Sequence, residues 1–250
     1  MKTLIVTVAG TATRFNRDTA EPTLKCLYYE ESPEYALLSQ ILAKTAGYDR
    51  LVIVGGYLFD KLGEFVDRHL GRYRDRIRLV CNERYDTYGS GYSLIRGIGA
   101  VEDPDGEVLF VEGDLYFDSA SYERVLRSER NVITVNREFI LAEKAVALYV
   151  DEAGEPHYIY DTSHRSLAIP EPFRAVYNSG QIWKFRSADR LRRVVAALSP
   201  EQERGTNLEI VQGYFAGLPA EETEFVPIET WYNCNTVADY RNVHAIIKRQ

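Results

Sequence analysis

Apolar residues in the first half of the chain fall into two alternating patterns. Lys2–Val8, Asp49–Val54 and Glu107–Val111 are continuous apolar, β-branched runs, as expected for strands buried on both faces, and Ile77–Val80 is a shorter run of the same kind. Between them the spacing turns helical. Pro33–Thr45 places Tyr35, Leu37, Leu38, Ile41 and Leu42 on one face, and Leu58–Leu70 does the same with Leu58, Leu62, Phe65, Val66 and His69. Tyr92–Ile98 predicts a third, shorter helix. Strand and helix alternating in this order predict right-handed crossovers and a mostly parallel sheet, with ligands bound beyond the carboxyl ends of the strands. The segment after Val8, the Gly55-Gly56 turn and the segment after Val111 should then face one crevice.

The second half is richer in strands. Val132–Asn136, Ala145–Val150 and Pro156–Tyr160 read as strands, and Ala175–Tyr177 with Gln181–Trp183 reads as an antiparallel hairpin. Helices are predicted at Ala188–Leu198, Asn207–Phe215 and about Val237 to Ile247, with a strand near Glu224–Val226. No repeat, low-complexity tract or flexible linker divides the chain, and Asp103–Gly106 and Ala153–Pro156 read as tight turns. The expectation is one α/β domain over 1–250, its halves meeting near residue 118 in a continuous sheet.

Composition narrows the possibilities. A net charge of −7 argues against broad nucleic-acid binding, which needs a basic face. No window approaches the roughly 18 apolar residues of a membrane span, and the first residues enter a strand without a leader pattern, so a cytoplasmic location is expected. Cys26, Cys81 and Cys234 are odd in number and far apart, which disfavours a disulfide framework or a zinc site. An acidic chain that handles a polyanion must concentrate its cations locally.

Val8-Ala9-Gly10-Thr11-Ala12-Thr13-Arg14 provides such a place. A strand emptying into small residues lets backbone N–H groups approach an anion, and Arg14 adds a planar fork of donors. Lys25 follows one loop-length later. The plain alternative is a strand-to-helix turn with two solvated cations. Asp114, in Val111-Glu112-Gly113-Asp114 at a strand end beside this loop, suits a hard cation such as Mg²⁺ and also suits a turn, with Glu112 in a supporting place. Tyr85–Leu94 is dense in hydroxyl donors before a helix, and Ser90 is equally an N-cap candidate.

The loop with Arg14 and then Lys25, the central Asp114, and Trp231–Tyr240 near the end resemble the nucleotidyltransferases that make nucleotide sugars and CDP-alcohols. The Tyr-Ser-Leu of Tyr92–Leu94, preceded by aromatic and small polar residues, is similar to the bacterial CTP:phosphocholine cytidylyltransferases, as is the placing of Asn82 and Glu83. The resemblance runs over nearly the whole chain and implies a Rossmann-like three-layer sandwich, with a mostly parallel mixed sheet (1–118, nucleotide-binding half) and an antiparallel acceptor-binding half (119–250). It implies Arg14 and Lys25 as catalytic cations. Ala9, Gly10, Thr11, Ala12, Thr13, Tyr88, Gly89, Ser90 and Ser93 would hold the nucleotide, and Asp114 and Asn235 would hold Mg²⁺. Three departures stand out. Thr11-Ala12-Thr13 occupies the place of a second glycine, the span from Arg14 to Lys25 is about one residue longer, and Asn235 replaces an acidic residue. Asn235 is also an N-cap candidate, and Asp239 reads as structural.

For the acceptor the resemblance implies Tyr177, Ser179 and Glu209. Lys144 would stand where the phosphocholine enzymes place a Trp, and a Lys there suits a carboxylate or phosphonate. Tyr158, Tyr160, Trp183 and Trp231 are candidates for an aromatic cage or for core, and His157 and His164 lie in the same half. The implied reaction moves CMP from CTP to a small phosphate or phosphonate with release of pyrophosphate, without nucleic acid or membrane, in a monomer or homodimer. A sugar-1-phosphate nucleotidyltransferase and a non-catalytic nucleotide-binding regulator are the alternatives.

Overall fold

The computed structural model describes residues 1–142, 145–159 and 166–249. The first half runs β1 (Lys2–Thr7), α1 (Leu37–Ala43), β2 (Arg50–Gly55), α2 (Phe59–His69), β3 (Ile77–Cys81), α3 (Ser90–Gly99) and β4 (Glu107–Glu112). β5 (Leu115–Phe117), α4 (Ser119–Arg127), β6 (Asn131–Asn136), β7 (Ala147–Asp151), β8 (Pro156–Tyr158) and β9 (Phe173–Phe185) follow. The chain continues through α5 (Ala188–Ala197), α6 (Pro200–Glu203), α7 (Asn207–Phe215), β10 (Thr223–Ile228), β11 (Trp231–Asn233) and α8 (Val237–Ile247).

The main sheet has the order β10-β6-β9-β4-β1-β2-β3, with β7 and β8 attached alongside β9. β4, β1, β2 and β3 are parallel neighbours, and β10 is parallel to β6. β9 alone runs against β4 and β6 and joins the two parallel groups. Alternation along the strands supplies both cores. Leu4, Val6, Leu109 and Val111 pack towards α1, α2 and α4, while Ile5, Val108 and Phe110 pack towards α3, α5 and α7. Phe110 stacks on Trp183 of β9, with ring centres 5.2 Å apart. The result is the expected α/β three-layer sandwich with a mixed sheet.

The parallel strands and most helices lie within one or two residues of their predicted bounds. Two readings need correction. Pro33–Thr45 is not one helix: a 3₁₀ turn at Pro33–Tyr35, capped by Ser32, ends at Ala36, whose ψ of 141° is extended, before α1 begins. The hairpin predicted around Asn178-Ser179-Gly180 is a single 13-residue strand. Its first part pairs with β7, its last part with β4, and β6 pairs along it across a bulge. Gln181, at φ 56°, absorbs in one residue the distortion that a turn would have spread over several. No described helix is long and apolar enough to cross a membrane.

Candidate active site

The loop after β1 stays on the sheet for one more residue, since the Val8 N–H donates to Val54 O (2.8 Å), and then lifts off. Asn16 braces it. Its Nδ2 donates to Thr11 O (3.2 Å), its backbone N–H to Ala12 O (2.9 Å), and its Oδ1 accepts from Thr23 N–H (2.9 Å). Ala12 has φ 52°, a left-handed conformation at which glycine would be unstrained. That strain sits in the segment where a second glycine was missing from the sequence. Phe15 is fully buried against Tyr28, Val237 and Tyr240, so the start of α8 fixes where Arg14 stands.

Four side chains meet there. Lys25 Nζ is 2.6 Å from Asp114 Oδ2 and donates to Asn235 Oδ1 at 3.3 Å; Arg14 Nη2 donates to the same Asn235 oxygen at 2.9 Å. Asn235 presents that oxygen because its Nδ2 is turned to Asn233 Oδ1 (2.8 Å). It is not the helix cap. Thr236 caps α8 in a capping box with Asp239, whose Oδ2 also accepts from the Asn235 N–H (3.0 Å), so Asp239 is structural. Asp114 is held by its carbonyl, which accepts from Cys234 N–H (2.8 Å), and by Gly113. A Cβ on Gly113 would lie 2.3 Å from Val8 Cγ1 and 2.9 Å from Thr7 O, so only glycine lets the chain turn here. Asp114 Oδ1 is buried and has no hydrogen-bond partner among the described residues. An unpaired buried carboxylate oxygen, on a residue that shares Lys25 with an amide oxygen, is a donor set that fits Mg²⁺, with phosphate oxygens completing the shell.

From this point a cleft of about 300 Å³ extends towards α3. Of the residues predicted to bind nucleotide or metal or act on them, Ala9, Gly10, Lys25, Tyr88, Gly89, Ser90, Ser93 and Asp114 line it; Thr11, Ala12, Thr13, Arg14 and Asn235 do not. Asn82 is buried in its wall, with Nδ2 on Ser93 Oγ (2.9 Å) and Oδ1 on the Arg84 N–H (2.8 Å). Tyr88 takes a hydrogen bond from Arg84 Nη1 (2.7 Å) and packs on Tyr92. Ser90 does not cap α3, whose N-cap is Gly89; its Oγ accepts from the Asn207 N–H (3.1 Å). The loop before α3 is sealed against the α6–α7 corner, with Gly89 N–H on Arg204 O and Gly91 N–H on Gly205 O. A Cβ at Gly89 would come within 2.2 Å of Gly205 O.

Glu112 lies in the cleft between these two ends. Asn207 Nδ2 donates to its Oε1 at 2.5 Å. Burial, with the Asp114 charge adding to it, pushes its carboxyl up to about 7, against the opposing pull of Asn207 and Lys25. Asn207 escaped the sequence reading, although it stands two residues before the Glu209 that was singled out. Gln181 escaped too. It precedes Ile182, the partner of Val111, so it stands beside the end of β4, and its buried Oε1 has no partner among the described residues.

None of the described acceptor candidates lines this cleft. Tyr177 stacks on Phe225 (5.3 Å), Ser179 Oγ is buried and accepts from the Gln181 N–H (3.1 Å), and Glu209 Oε2 meets Gln202 Nε2 (3.3 Å). Lys144, Tyr160 and His164 lie outside the described residues. Trp183 donates to the Tyr158 hydroxyl inside the core, and Trp231 to Gly180 O, so Tyr158 and Trp183 form no open cage. His157 pairs with Asp151 (3.2 Å), next to a tight turn.

The fold recurs in solved structures of nucleotidyltransferases. The chain is similar to the inositol-1-phosphate CTP transferase from T. maritima, with TM-score 0.71 and 17% identity over 99% of this chain and 96% of that one. It is similar to a putative glucose-1-phosphate thymidylyltransferase from Bacillus anthracis, with TM-score 0.73 and 14% identity over 100% and 96%. It is also similar to the CTP:phosphocholine cytidylyltransferase from Streptococcus pneumoniae, with TM-score 0.64 and 17% identity over 98% and 99%. No curated protein matches it in sequence. Residues 21–247 match a family described as a domain of unknown function (DUF6564), and the chain belongs to that family.

Proposed function

We propose that this protein is a nucleotidyltransferase that transfers CMP from CTP to a small phosphate or phosphonate and releases pyrophosphate. The observation behind this reading is the meeting of Lys25, Arg14, Asp114 and Asn235 at one end of a cleft whose other end is built from the loop before α3. Nucleotidyl transfer asks for charge neutralisation and alignment rather than covalent help, and these residue types provide both.

In this reading Lys25 offsets charge at the α-phosphate and on the attacking acceptor oxygen. Arg14 lies over the β- and γ-phosphates and stabilises pyrophosphate as it leaves. The small side chains at Ala9 and Gly10 let backbone N–H groups face the phosphates, and Gly10 has open space around it. Asp114 and Asn235 would hold Mg²⁺, which when bound neutralises the phosphates and fixes their orientation. CTP is favoured by the Tyr85–Leu94 segment, and by the names of two of the three similar structures, which specify CTP. A sugar-1-phosphate acceptor is the second reading, supported by the equally good superposition on the thymidylyltransferase.

A pyrophosphate-release screen crossing the four NTPs with phosphocholine, 2-aminoethylphosphonate, other phosphonates and sugar 1-phosphates tests this directly. Turnover with CTP and a small phosphate or phosphonate is expected. Turnover confined to sugar 1-phosphates selects the second reading. Silence in every well, with CTP still bound in calorimetry, means a nucleotide-binding regulator.

A further inference from the structure

Glu112 is a carboxylate built into the cleft without a counterion. It makes no ion pair among the described residues, and Lys25, which faces the same cleft, is engaged by Asp114. Alternation along β4 puts its side chain on the Phe110 face, towards α3 and α7, where Asn207 fixes Oε1. Oε2 takes no hydrogen bond from any described residue. The same Asn207 ties its N–H to Ser90 at the start of α3. Glu112 therefore stands between the loop before α3 and the Lys25–Asp114 end, two residues before Asp114 on the same chain segment.

In a nucleotide laid along this cleft with its base at α3 and its phosphates at Lys25, the part level with Glu112 is the ribose. Among the other polar side chains in reach, Asp114 Oδ1 lies unpaired at the phosphate end, and the acceptors nearer α3 are engaged. Both ends of the Asn82 amide are paired, Ser90 Oγ accepts from Asn207, and Asp114 Oδ2 accepts from Lys25. Sugar hydroxyls are donors that would find in Glu112 Oε2 an acceptor used by no described residue, and a ligand lacking one would cover that oxygen without pairing it.

We infer that Glu112, oriented by Asn207, accepts the ribose hydroxyls and selects a ribonucleotide over its 2′-deoxy counterpart. Asn207 is the positioning residue of the pair. This rests on the nucleotidyl-transfer reading above.

The test is calorimetric binding of CTP and 2′-deoxy-CTP, with Mg²⁺, to the full chain and its variants, with melting curves as a check on folding. Wild type should prefer CTP by about tenfold or more. Glu112→Met, close in shape and unable to accept, should bring the two affinities within about twofold, by weakening CTP and leaving the deoxynucleotide unchanged. Glu112→Ala is the second such variant, and Asn207→Ala should also narrow the ratio. A merely structural role would weaken both nucleotides alike. A preference that survives in Glu112→Met and Glu112→Ala, or its absence in wild type, overturns this inference and leaves nucleotidyl transfer standing. A wild-type chain that binds neither nucleotide overturns both.

Discussion

At the scale of the residue, the proposed metal site turns on an amide. Asn235 offers an oxygen to two cations but no charge of its own, so a metal held there would rest on a single carboxylate, Asp114. Asn235→Asp should lower the Mg²⁺ concentration for half-maximal activity by about tenfold. A magnesium titration with an unchanged midpoint would remove position 235 from the metal site. Lys25→Ala and Asp114→Ala should each reduce turnover by about three orders of magnitude while the melting midpoint stays near wild type; full activity in either contradicts the roles given them. Ala12→Gly should relieve the left-handed strain and stabilise the fold by up to about 1 kcal/mol in thermal or denaturant unfolding. Arg14 and Asp114 were legible in the sequence because each follows a buried strand and small residues, and Lys25 because the order of Arg14 and then Lys25 resembles a nucleotidyltransferase loop. Glu112 and Asn207 were harder to pair. Their contact joins residues 95 positions apart and depends on how α7 packs, which no local pattern encodes.

At the scale of the element, caps and strands separate what sequence can and cannot specify. Thr236-Val237-Ala238-Asp239 has capping-box spacing, so the true start of α8 was readable, and with it the release of Asn235 from a capping duty. Thr236→Ala should cost about 1 kcal/mol in unfolding experiments. Because α8 begins beside Phe15, it should also raise the concentration of CTP needed for half-saturation. Unchanged nucleotide binding would show that the loop is placed without α8. β9 was misread for a physical reason. Asn178-Ser179-Gly180 has turn chemistry, yet partners on both sides hold it extended: β7 and β6 pair with it, and Thr134 Oγ1 accepts from the Ile182 N–H (3.1 Å) while donating to Ile182 O (2.7 Å). Three-residue strands such as β5 and β11 pair only with each other and were too short to register as a pattern.

At the scale of the whole molecule, charge and topology act together. The chain is acidic overall, yet it sets Arg14 and Lys25 beside one Asp and one Asn at the carboxyl ends of β1 and β4, a local exception to its net charge of −7. Because nucleotide should bind only the assembled site, CTP at about 100 times its Kd should stabilise the fold by about 2.7 kcal/mol, measured as a shift of the melting transition. Lys25→Ala should lose most of that shift. An equal shift in the variant would place the nucleotide elsewhere. The parallel half was legible because strand and helix alternate there in regular order. The other half depends on β9, whose partners β4, β6 and β7 come from three separate stretches of chain.

The insertion of β9 between β4 and β6 has a practical corollary for anyone trimming this gene. A piece ending near residue 118 would present Val108–Val111, all buried in the intact chain, as a bare apolar border with its donors and acceptors unmatched. Such a fragment should clump on expression, however complete its phosphate loop looks on paper.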